Sequence, residues 1–261
     1  MDHTAAVAKS IEYTREALIG KWARWIIFVI LGFPTALLPF VFNANTMGVA
    51  DSFSWEQIPW DQVGVIVIAG IILSFFLSGY IIRIYRGVQP APDFNDWGTL
   101  FFDGLKLQVL SLIWMLPIMI IIIAGFVGLS FVTVGFAGFA SSGLLLVLLA
   151  VLFVAMVVFI IVALFIPMAL IRFARTGSMR EGLRVSEIKA HIGRIGWGQY
   201  IIALIVLIAV TLIFGIILTI LGLIPIIGWV LELVATPFIT IFGARYYTLV
   251  YEVGTEPPVS A

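Results

Sequence analysis

Polar positions along this chain come in clusters, and the apolar blocks between them are too long for strands and too unbroken for surface helices. Six such blocks lie at 22–42, 63–85, 107–132, 143–171, 199–224 and 226–250. A helix needs about 20 apolar residues to cross a hydrocarbon core about 30 Å thick. The pattern therefore predicts six transmembrane helices. Pro34, Pro117, Pro167 and Pro237 fall inside the blocks and predict kinks, which membrane helices tolerate because neighbours satisfy the freed carbonyls. The last two blocks are divided only by GLIPIIGW (222–229), read as a very tight turn around Pro225 and Gly228.

The polar clusters carry a second pattern. On a helical wheel, residues 93–108 (DFNDWGTLFFDGLKLQ) place Phe94, Trp97, Leu100, Phe101, Phe102 and Leu105 on one arc. Asn95, Asp96, Thr99, Asp103 and Lys106 fill the other. Asp93 is a plausible N-cap and Asp96 belongs in a first turn. This predicts a short amphipathic helix at the membrane interface, with Phe94, Trp97 and Phe101 as its anchors. The same device recurs twice. Ser178 and Glu181 are spaced as a capping box, followed by a polar stripe of Arg180, Arg184, Glu187, His191 and Arg194. Before the first block, Val7, Ile11, Thr14 and Leu18 line a stripe opposite Lys9, Glu12 and Glu16. The chain thus reads three times as amphipathic helix, span, span, over 4–86, 93–176 and 178–254. The second spans of the first two units close alike, in IIRIYRG (81–87) and LIRFARTG (170–177). The fold class expected is an all-α integral membrane protein, a single membrane domain over 1–261. Its six transmembrane helices form three parallel two-span repeats, each preceded by a short cytoplasmic amphipathic helix. Mitochondrial carriers also use three two-span repeats, but their Pro-x-Asp/Glu-x-x-Lys/Arg signature is missing here.

Charge sets the orientation. In a six-span arrangement all 14 Lys and Arg residues fall on one side, while Asp51, Glu56 and Asp61 occupy the first loop of the other. Basic loops stay cytoplasmic, so both termini are expected in the cytoplasm of a plasma-membrane protein. Composition agrees: 62% of residues are hydrophobic, 11% are charged, and the mean hydropathy is +1.19. Soluble domains are about 25% charged. A formal net charge of zero supplies no global field for nucleic acid. The absence of cysteine excludes disulfides and thiolate chemistry. MDHTAAVAKSIEYTREALIGKW at the N-terminus does not read as a cleaved signal peptide.

GYIIRIYRG (79–87), PAPDFNDWGTLFFDGLKL (90–107) and MALIRFARTGSMREGLRVSEI (168–188) together carry a family resemblance. The chain resembles the uncharacterised prokaryotic multi-pass membrane family known as domain of unknown function 4013, best represented in archaea. The resemblance covers nearly the whole chain and rests on polar punctuation within apolar sequence. It implies an integral membrane protein without an assigned activity, so no catalytic residue is carried over.

Candidate chemistry is sparse. Neither His3 nor His191 has a partner spaced for zinc or for a nucleophile–base pair. No glycine pattern predicts a phosphate loop; Gly125, Gly128, Gly215 and Gly222 are expected to let helices pack closely. Asp93, Asp96 and Asp103 read as a helix start and a wet face rather than a metal site. No cofactor or metal is expected. Within the membrane, Glu232 shares a helix face with Thr236 and Thr240, and a carboxyl at that depth is costly enough to suggest a proton or cation site. Arg180, Arg184, His191 and Arg194 are candidate contacts for anionic lipid or a partner. The expected function is a non-catalytic scaffold, assembly factor or membrane-complex subunit. Its partners would be membrane lipids and a protein or a second copy, with no nucleic acid. The alternatives are a small transporter or channel using Glu232 and, weakest, a lipid-processing enzyme.

Overall fold

The computed structural model describes residues 2–46, 58–135, 141–222, 224 and 227–255. Among the described residues there are helices and no strand: α1 (His3–Leu18), α2 (Trp22–Thr46), α3 (Trp60–Tyr85), α4 (Trp97–Gly135), α5 (Ser141–Thr176), α6 (Met179–Gly182), α7 (Val185–Ile195), α8 (Trp197–Gly222) and α9 (Ile227–Val253). Five stretches are long and apolar enough to cross a bilayer: Trp60–Tyr85, Trp97–Ser130, Leu145–Thr176, Trp197–Gly222 and Leu233–Val253. His3–Leu18 with Trp22–Pro34, a pair bent by 98°, makes a sixth if counted as one span. The architecture is all-helical and multi-pass in length and composition.

The polar punctuation ends helices in a repeated way. Arg83 sits in the last turn of α3 and Arg175 in that of α5, where a cation complements the carbonyl end of the helix dipole. Gly87 and Gly177 follow with left-handed backbone, φ 82° and 71°, a conformation glycine adopts without steric cost. Their N–H groups return to Ile84 O and Phe173 O, both at 2.8 Å.

Three local expectations are corrected. First, no helix begins at Asp93. Arg83 binds the main-chain carbonyls of Asp93 and Asn95, each at 2.8 Å, which holds the segment before α4 irregular. Asp96 turns left-handed at φ 47°, its carbonyl accepts from Leu100 N at 3.0 Å, and α4 starts only at Trp97. From there it runs unbroken for 39 residues, about 58 Å at about 1.5 Å per residue. The expected short helix is thus the first turns of a span. Second, the capping box does not form. The Ser178 side chain makes no cap bond, and Glu181 is taken by Arg172 at 2.6 Å. The 178–194 stretch is two helices, α6 and α7. Third, the packed face of α1 is Ala6, Ser10, Tyr13, Thr14, Ala17 and Leu18, while Ile11 is 43% exposed. Small residues let α1 lie close on α9, and the buried hydroxyls of Ser10 and Thr14 donate to the helix's own carbonyls, both at 2.7 Å.

The helices fall into two compact units, Met1–Leu107 with Ala190–Ala261, and Gln108–Lys189. In each, the core sits towards the arginine-bearing helix ends. The first unit buries Tyr80, Ile82, Ile84, Leu100, Tyr200 and Tyr246; the second buries Leu110, Met168, Ile171 and Phe173. The remaining lengths of α4, α5 and α8 present Ile, Leu, Val and Phe outward, as lipid-facing helices do. In the first unit Thr248 Oγ1 donates to Ile84 O at 3.3 Å and Tyr246 OH to Ala203 O at 3.1 Å, tying α9 to α3 and α8.

Close approach is where glycine matters. A methyl on Gly79 would land on the Leu100 carbonyl, and one on Gly104 on the Phe75 carbonyl, so α3 and α4 cross backbone to backbone. Of the four glycines expected to pack, Gly125 does, against Val151; Gly128, Gly215 and Gly222 each have open space where a side chain would stand. At the turn after α8, Gly228 packs on the backbone of Leu221 and Gly222; Pro225 lies outside the described residues.

Candidate functional site

The polar end of the first unit is built from arginines that reach from helices to connecting segments. Arg24, near the start of α2 and 4% exposed, donates to Ala17 O at 2.6 Å and Ala91 O at 3.4 Å and pairs with the Asp93 carboxylate. That hydrogen bond holds Asp93 below the usual carboxylate range. Arg86 pairs with Asp103 at 2.7 Å. In the second unit Arg172 meets Glu181 at 2.6 Å and Glu187 at 3.6 Å, and Arg184 meets the other Glu181 oxygen at 2.6 Å. Glu181 is accordingly also held low, first by its hydrogen bond to Arg172.

The expected interfacial anchors take part in an aromatic chain inside the first unit. Phe94 stacks on Tyr80 at 4.6 Å and on Trp97 at 5.8 Å, and Phe28 meets both Tyr80 and Phe94 edge-on. Trp97 continues to Phe76, and Phe101 packs against Phe75 and Phe76. Trp97 stays largely exposed and the other two anchors are half-buried. These rings hold the segment before α4 against α2 and α3 and the first turns of α4 against α3.

The expected basic stripe resolves into separate tasks. Arg180 is exposed on α6, and Arg184 is engaged with Glu181. His191 is buried, its ring stacked on Tyr251 at 3.9 Å. Arg194 donates to Gly254 O at 3.1 Å and lies 3.1 Å from His191 Nδ1. Guanidinium nitrogens only donate, so Nδ1 accepts and Nε2–H donates to Tyr251 O at 3.0 Å. His191 is thus a neutral tie between α7 and the end of α9. His3 reaches Gln199 Oε1 at 3.0 Å.

In α9, Thr240 Oγ1 donates to Thr236 O at 2.9 Å, one turn back. Glu232 belongs to the same helix, and its side chain lies outside the described residues. Asp96 lies before α4 and Asp103 within it, so the two do not share a helix face. Among the described residues no three His, Asp or Glu side chains gather as metal ligands.

Sequence reasoning missed Arg245, which it used only as a marker of sidedness. This arginine of α9 is 5% exposed and lies over the Tyr13 ring at 4.9 Å. The Gln89 amide, turned with Oε1 towards the guanidinium, accepts from it. Its signal was faint: one cation eight residues before an aromatic-rich helix end.

No curated protein and no solved structure matches the chain. The family described as "Protein of unknown function (DUF4013)" matches residues 63–224, from α3 through α8. That stretch is more than half of the chain and carries both arginine–glycine helix ends, the Gly79–Gly104 crossing and the Asp103 and Glu181 clamps, and by it the chain belongs to the DUF4013 family.

Proposed function

We propose that the chain is a non-catalytic polytopic membrane protein, a scaffold or membrane-complex subunit that presents a rigid polar end to lipid and to a partner. One observation carries the reading. Asp93 before α4, Asp103 near the start of α4 and Glu181 in α6 are clamped by Arg24, Arg86 and Arg172. Asp93 and Glu181 are held below the usual carboxylate range by their arginine partners, whereas a general acid or base needs a pKa near the working pH.

The reading includes three parallel repeats with cytoplasmic polar ends. The strings Glu16-Ala17-Leu18, Asp103-Gly104-Leu105 and Glu181-Gly182-Leu183 support it. Each has a small residue in a tight place: Ala17 is fully buried under Arg24, Gly104 meets Phe75, and Gly182 meets Leu110 and Phe173. Trp114 caps the third string by donating to Gly182 O at 3.0 Å.

The test is isolation of the chain from its native membrane into nanodiscs, with lysine cross-linking through the exposed Lys21, Lys106 and Lys189. A defined protein partner, or a second copy, at fixed stoichiometry is expected. Proton or cation flux in proteoliposomes that disappears in Glu232→Gln would overturn the reading in favour of transport.

A further inference from the structure

We propose that the cleft between α1 and the C-terminal half of α9 binds a zwitterion that joins a phosphate ester to an ammonium group, the chemistry of an aminophospholipid headgroup or of free phosphoethanolamine. The cleft has a volume of about 600 Å³, within the range of small-molecule sites. Its floor holds Arg245 and Tyr13; its rim holds Lys9, Glu12, Glu16 and Glu252.

Arg245 is the first reason. A buried guanidinium is costly unless its charge is met. Arg24 solves this with a carboxylate and two carbonyls. Arg245 has an amide and the face of a phenol ring, and its Nε is buried without a partner. Tyr13 supplies no negative charge: its hydroxyl donates to Val88 O at 3.0 Å, and burial pushes the phenol up to about 12 despite the opposing pull of Arg245 and Arg24. An anion entering the cleft would give Arg245 the partner it lacks.

The order of charge is the second reason. Lys9, Glu12 and Glu16 recur at helical spacing along the exposed side of α1, and Glu252 faces the cleft from α9. Asp2 also borders it, but its carboxylate is occupied as the N-cap of α1, accepting from Ala5 N at 3.0 Å. A plain anion reaching Arg245 must pass these carboxylates, and a plain cation attracted by them meets Arg245 below. A molecule with an inward anion and an outward ammonium satisfies both layers. Two cations, one at the floor and one at the rim, favour phosphate over carboxylate.

The full chain in phosphatidylglycerol nanodiscs, titrated by calorimetry, tests this. O-phosphoethanolamine is expected to bind about tenfold or more tightly than inorganic phosphate or ethanolamine alone, the factor for one lost charge-assisted contact. Arg245→Gln and the exposed Lys9→Gln should each weaken it by a similar factor. The double variant Glu12→Gln/Glu16→Gln should narrow the preference for phosphoethanolamine over phosphate, a change in selectivity that misfolding does not produce. Competition by phosphatidylethanolamine in the disc assigns the site to lipid; its absence assigns it to a soluble aminophosphate. Equal binding of phosphate and phosphoethanolamine, tighter binding of glycine, or no binding by the folded chain overturns the proposal.

Discussion

Arg24 and Arg245 are both buried arginines of the first unit, and the Arg24 partnership makes a prediction that pH can read. Asp93 has its carboxyl held below its ordinary value, chiefly by its hydrogen bond to Arg24. A depressed folded pKa contributes stability that is complete above the ordinary value and is lost as pH falls through the folded one. Asp93→Asn should therefore lower thermal stability at pH 7, and the gap from the parent should close as pH drops below about 4. Asp93 is 77% exposed, so water screens the pair and about 1 kcal/mol is expected, not the 3–5 kcal/mol of a fully buried pair. A gap that persists unchanged at pH 3 would show that the carboxylate is not the source. Glycine supplies the second residue-scale prediction. Gly79→Ala and Gly104→Ala each drive a methyl into a backbone carbonyl and should cost roughly 1–3 kcal/mol. Because both sit at one crossing, the double variant should cost less than their sum. Gly128→Ala, with open space around it, should leave the melting temperature in detergent unchanged. The sequence drew attention to Gly125, Gly128, Gly215 and Gly222 because they lie in apolar blocks. Which glycine meets a backbone depends on which helices cross, and a single sequence does not encode that in any local pattern.

At the scale of elements, long apolar blocks were legible because their length alone demands a helix where backbone groups find no water. The arginine–glycine endings of α3 and α5 were legible for the same local reason, a cation and a left-handed residue at a carbonyl end. What local rules missed were starts at which a distant side chain intervenes. Asp93 had the chemistry of an N-cap, and Arg24, 69 positions away in sequence, took its carboxylate. Ser178 and Glu181 had the spacing of a capping box, and Arg172 took the glutamate. The α1 stripe holds at Thr14 and Leu18 and fails at Ile11, because close packing on α9 selects small side chains along much of the buried face. The start of α4 is the place to test this competition. Asp96 holds φ 47°, where a side chain costs roughly 1–2 kcal/mol and a short polar one costs least. Asp96→Gly should hold or raise the melting temperature, and Asp96→Val should lower it. Equal stability of the two variants would mean that the left-handed turn does not set the helix start.

For the whole molecule, the decisive asymmetry is that each unit packs its core near the arginine-bearing helix ends and leaves the other helix lengths apolar and outward. In water such a surface would drive aggregation; in lipid it faces a solvent of its own kind. The order of the chain then makes a prediction about sidedness. The basic residues between the second and third apolar stretches, between the fourth and fifth, and at both ends all share one face if every stretch crosses once. A miscount by one span would scatter them across both faces, so charge and span count test each other. The chain has no cysteine, so single cysteines report without background. Gln62→Cys at the start of α3 should react with a membrane-impermeant maleimide in intact cells. Lys189→Cys in α7 and Thr255→Cys after α9, all exposed positions, should react only after lysis. The reverse pattern would invert the molecule in its membrane. Three long apolar helices, α3, α4 and α5, separate Gln62 from Lys189, so joint labelling of Gln62→Cys and Lys189→Cys in intact cells would mean that not all three cross and would break the alternation on which six spans depend.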